Sequence, residues 1–246
     1  MRRSLFCCWL ALLIMLVGLW IYPIRYTLTR SCILGLFTAV FVLTFLLTYR
    51  SRVLRWTLVF VPAVLGASIL FWPGQPINQA RRQSSYLSAL RGYDGVRYVW
   101  GGENHWGIDC SGLPRAALIQ ADFCTGCRTL NPALFRQAAW LWWFDAGAHE
   151  LASGYRGRVT LLGQSPNLHD FSHAPLSDLH PGDMAIINGD SHVLVYLGNN
   201  GNADAPEWIE SDTLTMRVRT WGPDYDKSAL PWWWNTPAKL ARWKGM

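Results

Sequence analysis

The residues able to do covalent chemistry gather around one thiol. Cys110 stands in Asp109-Cys110-Ser111, at the head of a helical pattern that runs to Phe123. The positive end of a helix favours negative charge, and thiolate is the nucleophilic form of cysteine. Such a nucleophile needs a base within hydrogen-bond reach and a third group to orient that base. His192 is the best-placed base, because it opens the alternating stretch Ser191–Leu197 and its ring can face a helix packed on the sheet. His105 is closer in sequence but lies in a loop, His169 and His173 fall in a Pro/Ser-rich segment, and His180 belongs to the turn LHPGD. A lone histidine is more often structural than catalytic, so spacing by itself leaves these alternatives open. The next stretch, Glu207–Asp212, offers Glu210, with Ile209 and Ser211 on the other face by the period of two. A carboxylate accepting from the imidazole N–H fixes its tautomer and favours the cation. Glu207 and Asp212 compete as turn or surface acids. Tyr98 could join the Cys110 N–H in holding an oxyanion, or could simply fill the core.

These side chains need a helix and a sheet to hold them. Arg82–Arg91 reads as a helix ended by Gly92, and Arg97–Trp100 as extended chain broken by Gly101-Gly102. Pro114 fits the nucleophile's helix because it lies in the first turn. Asp183–Ile187, Ser191–Leu197, Glu207–Asp212 and Leu214–Val218 read as strands, with a turn at Gly198–Asn202, forming an antiparallel meander. Helix first and strands after imply an α+β fold. Asn131–Leu151 has helical texture and carries Trp140, Trp142 and Trp143; a core helix or cleft wall is preferred over a membrane-interface helix. Trp232–Trp234 could cap the core or touch a bilayer.

Ahead of this lies a different material. The chain has 246 residues, is 51% apolar and carries a net charge of +6. Residues 1–72 hold seven Arg and no acidic residue, whereas residues 73–246 hold fifteen Lys/Arg against sixteen Asp/Glu. The basic excess therefore belongs to the apolar third and reads as membrane topology, which argues against nucleic acid as a partner. Three apolar runs, about 5–22, 32–48 and 56–72, are near the length that spans a hydrocarbon core. The first is long for a signal peptide, and no small-residue cleavage site follows it. Five arginines flank the N-terminus and second loop against two in the first loop, which places residues 73–246 outside. The expected division is a membrane region 1–72, a short linker 73–83 and a catalytic domain 84–246 with an insertion at about 124–179.

Four motifs in order, YVWGG–GIDCSGL, LHPGDMAII, SHVLVYLGN and EWIESD, resemble the NlpC/P60 cysteine peptidases over about residues 84–215. The resemblance implies a papain-like α+β domain, with the nucleophile-bearing helix packed on an antiparallel sheet, here following three transmembrane helices. It implies hydrolysis of bacterial cell-wall peptides, often at γ-D-glutamyl–diaminopimelate bonds, without metal or cofactor. It puts the nucleophile on Cys110, the base on His192 and the active-site tyrosine on Tyr98, with Asp109 and Ser111 bordering the substrate pocket. The family's third polar residue, most often histidine, falls on Glu210. Other departures are Leu194 in place of the usual Gly and the long segment before LHPGD. That segment begins with Cys124 and Cys127, a disulfide or regulatory thiol pair in preference to a metal site. An acyltransferase or amidase acting on an amphiphilic substrate at a membrane surface is a rival reading. A non-catalytic wall- or partner-binding module is another.

Overall fold

The computed structural model describes residues 2–199, 206–222 and 231–246. Three long helices come first: α1 (Arg2–Ile21), α2 (Thr27–Thr48) and α3 (Arg52–Phe71). Each is long and apolar enough to cross a membrane. They start earlier than the apolar runs because polar residues such as Thr27–Ser31 and Arg52–Arg55 join the first turns. Neither α1 nor α3 buries any residue, although both are rich in Leu, Val and Phe. A helix apolar all round and left uncovered by protein is stable only in an apolar solvent. Between α1 and α2, Trp9 donates its indole N–H to Thr44 at 2.9 Å.

The remaining helices are α4 (Gln79–Arg91), α5 (Gly112–Thr129), α6 (Pro132–Trp143) and α7 (Ala148–Ala152). Asn78 caps α4 and Asn131 caps α6 through their side-chain oxygens. The expected helix over 131–151 is thus two helices. Its break follows Phe144, whose carbonyl, with that of Leu141, takes N–H groups from buried Arg115. Helix α5 runs past Phe123 and carries Cys124 and Cys127 one turn apart. A bidentate ion pair from Arg82 to Asp122, at 2.5 and 2.8 Å, fastens α4 to α5.

Two short strands, β1 (Glu103–Asn104) and β2 (Gly107–Ile108), form a hairpin just before Cys110. The main sheet contains β3 (Val159–Ser165), β4 (Met184–Ile187), β5 (His192–Gly198), β6 (Glu207–Asp212), β7 (Arg217–Trp221) and β8 (Ala238–Trp243). Its order is β3-β8-β4-β5-β6-β7, and every neighbour is antiparallel. The expected α+β fold is therefore present. Strands β3 and β8 were not among the expected elements, and β7 begins three residues later than the pattern implied. The Asp212 carboxylate accepts from the N–H groups of Leu214 and Thr215 and holds a turn there. Most of the expected turn at 198–202 lies outside the described residues.

The sheet is covered on both faces. Val193, Val195 and Ile209 pack with α4 and α5, whereas Leu194, Tyr196 and Trp208 pack with Leu168, Leu176 and Trp233.

The loop between α1 and α2 docks on the β1–β2 region. Arg25 donates two N–H groups to the carbonyls of Leu19 and Trp20, closing the end of α1. Ile24 pairs with Gly102 as an antiparallel bridge. The Arg25 amide donates to Gly101 O at 3.0 Å, and the Glu103 amide to Pro23 O at 3.1 Å. Gly101 has φ +72°, and a Cβ there would meet the Tyr26 hydroxyl at 2.7 Å, so the approach requires glycine. Arg30 of α2 and Arg115 of α5, both buried, share the Glu103 carboxylate between them.

Candidate active site

The loop ahead of α5 is held from three sides. One Asp109 oxygen accepts from the Gly112 amide at 2.6 Å and the Ser111 hydroxyl at 3.0 Å. The other accepts from the Gly101 amide at 2.8 Å. Burial raises the Asp109 pKa despite these bonds. The carboxylate so ties the hairpin to the first turn of α5. A Cβ at Gly112 would lie 2.3 Å from Gly102 O, so only glycine allows this contact. The Ser211 hydroxyl of β6 donates to Ile108 O at 2.8 Å, and the Tyr98 amide to Met216 O at 2.8 Å.

Cys110 emerges at the N-terminal end of α5 with its side chain mostly buried. Its thiol donates to Ser191 O at 3.8 Å, and it lies close enough to the His192 imidazole to raise the pKa of that ring. His192 Nε2 meets a Glu210 oxygen at 2.5 Å. The structure thus brings Cys110, His192 and Glu210 together, with His192 between the thiol and the carboxylate. Strand alternation puts His192 on the side of Leu194 and Tyr196. It meets the thiol because it is the first residue of β5, at the end of the sheet where α5 begins.

Register explains why a glutamate serves. Leu194 is directly opposite Glu210, so His192 and Glu210 are diagonal neighbours. Diagonal Cα atoms are about 7–8 Å apart, within reach of a long carboxylate side chain. Glu210 is fully buried, and its other oxygen accepts indole N–H groups from Trp221 at 2.7 Å and Trp233 at 2.6 Å. These donors replace water around a buried carboxylate. Burial alone would lower the His192 pKa, but its hydrogen bonds to Cys110 and Glu210 outweigh burial and lift it to about 9. The imidazole is therefore cationic at neutral pH. Trp232 stands over it, with ring centres 5.6 Å apart.

Tyr98 has a buried hydroxyl with no hydrogen-bond partner among the described residues. Its pKa is raised by burial and by the nearby Cys110 and Asp109. The competing candidates are engaged elsewhere. His105 stacks on Tyr93, His169 stacks on Trp234, Asp183 caps the His180 amide, and Glu207 pairs with Arg91. Trp221 and Trp233 were not among the expected site residues. Trp233 stands 23 positions from Glu210, and only the sheet's closure by β8 brings the two together.

Residues 95–227 match the NlpC/P60 family. Among solved structures, the chain is similar to NlpC2 from Trichomonas vaginalis, with 17% identity over 70% of this chain and a TM-score of 0.37. That match spans half the length of NlpC2, 50% of its chain. It is also similar to the NlpC/p60 domain of the peptidoglycan hydrolase SagA, with 16% identity, 65% of this chain, 96% of that chain and a TM-score of 0.36. No curated protein matches.

Proposed function

The chain belongs to the NlpC/P60 family, generally one of cell-wall peptidases, and from that premise we propose that it is a membrane-anchored cysteine hydrolase. It cleaves amide bonds in bacterial cell-wall peptides, of the γ-D-glutamyl–diaminopimelate type. Helices α1–α3 cross the inner membrane, and residues from 73 onward lie on its outer, periplasmic side. The observation that carries the reading is the buried row from Cys110 through His192 to Glu210.

Each residue has a chemical task. With the imidazole protonated, the Cys110 sulfur attacks the amide carbon as thiolate. The C=O electron pair moves to oxygen, which the Tyr98 hydroxyl and the Cys110 N–H hold. His192 then gives its proton to the leaving amine as the C–N bond breaks. Water attacks the thioester, His192 takes the water's proton, and the acid and thiolate are released. Glu210 fixes the ring through its contact with Nε2 at 2.5 Å. Asp109 shapes the loop and Ser111 borders the pocket.

Purified cell wall digested with the full-length protein in detergent should release free diaminopimelate amine groups, and Cys110→Ala should release none. Equal release by that variant would defeat the assignment.

A further inference from the structure

The nucleophile is fixed in height above the helices that carry it. Helix α1 has 20 residues and so is about 30 Å long, the thickness of a hydrocarbon core. Residues 22–26 therefore lie at the boundary between hydrocarbon and headgroups. From there, Ile24 pairs with Gly102, and Gly102 O accepts from the Asp109 amide at 3.1 Å. Two strand spacings of about 5 Å put Cys110 at most roughly 10 Å from that boundary. The headgroup layer is itself about 5–8 Å deep on each side, so Cys110 stands within it or just beyond it.

The height is not adjustable. The α5 entry is tied to α2 through Arg30, Glu103 and Arg115. Past its far end, Arg136 of α6 donates to the carbonyls of Ile69, Trp72 and Pro73 at the exit of α3. Asn131 also donates to Gln75 O at 2.9 Å. The domain is thus bolted to the anchor near both ends of the nucleophile's helix. Trp100 and Trp106, on the loop leading to Cys110, are 71% and 59% exposed. Trp20, Tyr22 and Tyr26 are exposed at the neighbouring helix ends. Uncovered Trp and Tyr beside the ends of membrane helices are the side chains that settle among lipid headgroups.

We infer that the substrate is an amphiphile: a peptide whose far end is anchored by lipid in the leaflet this site faces. The inference rests on the hydrolase reading above and names the form in which the peptide arrives. A lipid anchor confines the scissile amide to the layer where Cys110 stands and raises its effective concentration.

The test uses the full-length protein in phospholipid nanodiscs and needs no knowledge of the bond cut. Iodoacetamide attached by a tether of about 10 Å to a phosphatidylethanolamine headgroup is compared with soluble iodoacetamide at the same bulk concentration. Alkylation of Cys110 is read by peptide-resolved mass spectrometry. The tethered reagent should modify Cys110 at least tenfold faster, and Trp100→Ser with Trp106→Ser should lower the ratio of tethered to soluble rates. These two tryptophans are exposed, so the double variant retains its core. Any result in which the tethered reagent does not exceed the soluble one overturns the inference. Failure of the hydrolase reading shows separately, as no release of amine from purified wall or from soluble muropeptide.

Discussion

Glu210 carries more of the site's electrostatics than its distance from the sulfur suggests. It is buried, it meets His192 at 2.5 Å, and it takes two indole N–H groups. Glu210→Gln keeps the shape and removes the charge, so kcat should fall roughly a hundredfold or more. The sign of the pH effect follows from the raised His192 pKa. Below about 9 the ring holds its proton, and activity should decline as pH rises through that value. In Glu210→Gln this alkaline limb should move to lower pH by about one unit or more. The same linkage contributes stability that is complete below the unfolded pKa near 6.5 and lost as pH rises towards about 9. A pH–rate profile of both proteins, with unfolding followed over the same range, reads both effects. Tyr98 makes the opposite case. Its hydroxyl has no partner among the described residues, so Tyr98→Phe should keep stability or raise it by up to about 1–3 kcal/mol. Its kcat should nonetheless fall by roughly ten- to a thousandfold, since an oxyanion donor is lost.

At the scale of elements, the sheet's ends decide the chemistry. Trp233 sits in the segment entering β8, and β8 pairs between β3 and β4. Trp233→Phe preserves the ring packing on Trp208 and removes one donor to Glu210, so activity should drop while the helix and strand content seen by circular dichroism is unchanged. The thiol, imidazole and carboxylate were legible in sequence because each is local. Cys110 precedes a helix, His192 opens an alternating strand, and Glu210 lies in a strand whose parity is clear. The indole donors were not legible, because β8 finds its neighbours by long-range pairing and AKLARW carries no clean alternation. The extent of α5 was misjudged for a related reason. CTGC looks like a break, yet its thiols and glycine continue the helix, with Gly126 packed against Phe135 and Leu134 of α6.

For the whole molecule, the three apolar helices and the domain are joined by buried charge. Arg30 and Arg115 flank Glu103 with almost no exposure. Glu103→Gln leaves the two buried guanidinium groups only the half-exposed Asp145 carboxylate as counter-charge, which should cost about 3 kcal/mol. Thermal unfolding in detergent should show one transition moved down, and activity should fall with it because the hairpin before Cys110 loosens. The three apolar helices were plain from composition, since nothing else keeps such runs free of acidic residues. Their docking on the catalytic loop was not, because Ile24 and Gly102 meet through backbone groups that leave no mark on side-chain type.

The central claim, that Cys110 attacks an amide and passes through a thioester, has one direct measurement. The full-length protein is quenched with acid during turnover of a muropeptide, and its intact mass is read. The account predicts an adduct with the mass of the acyl fragment, mapped to Cys110 and removed by neutral hydroxylamine. Product formation with no adduct on Cys110, or with the adduct on another residue, would contradict it.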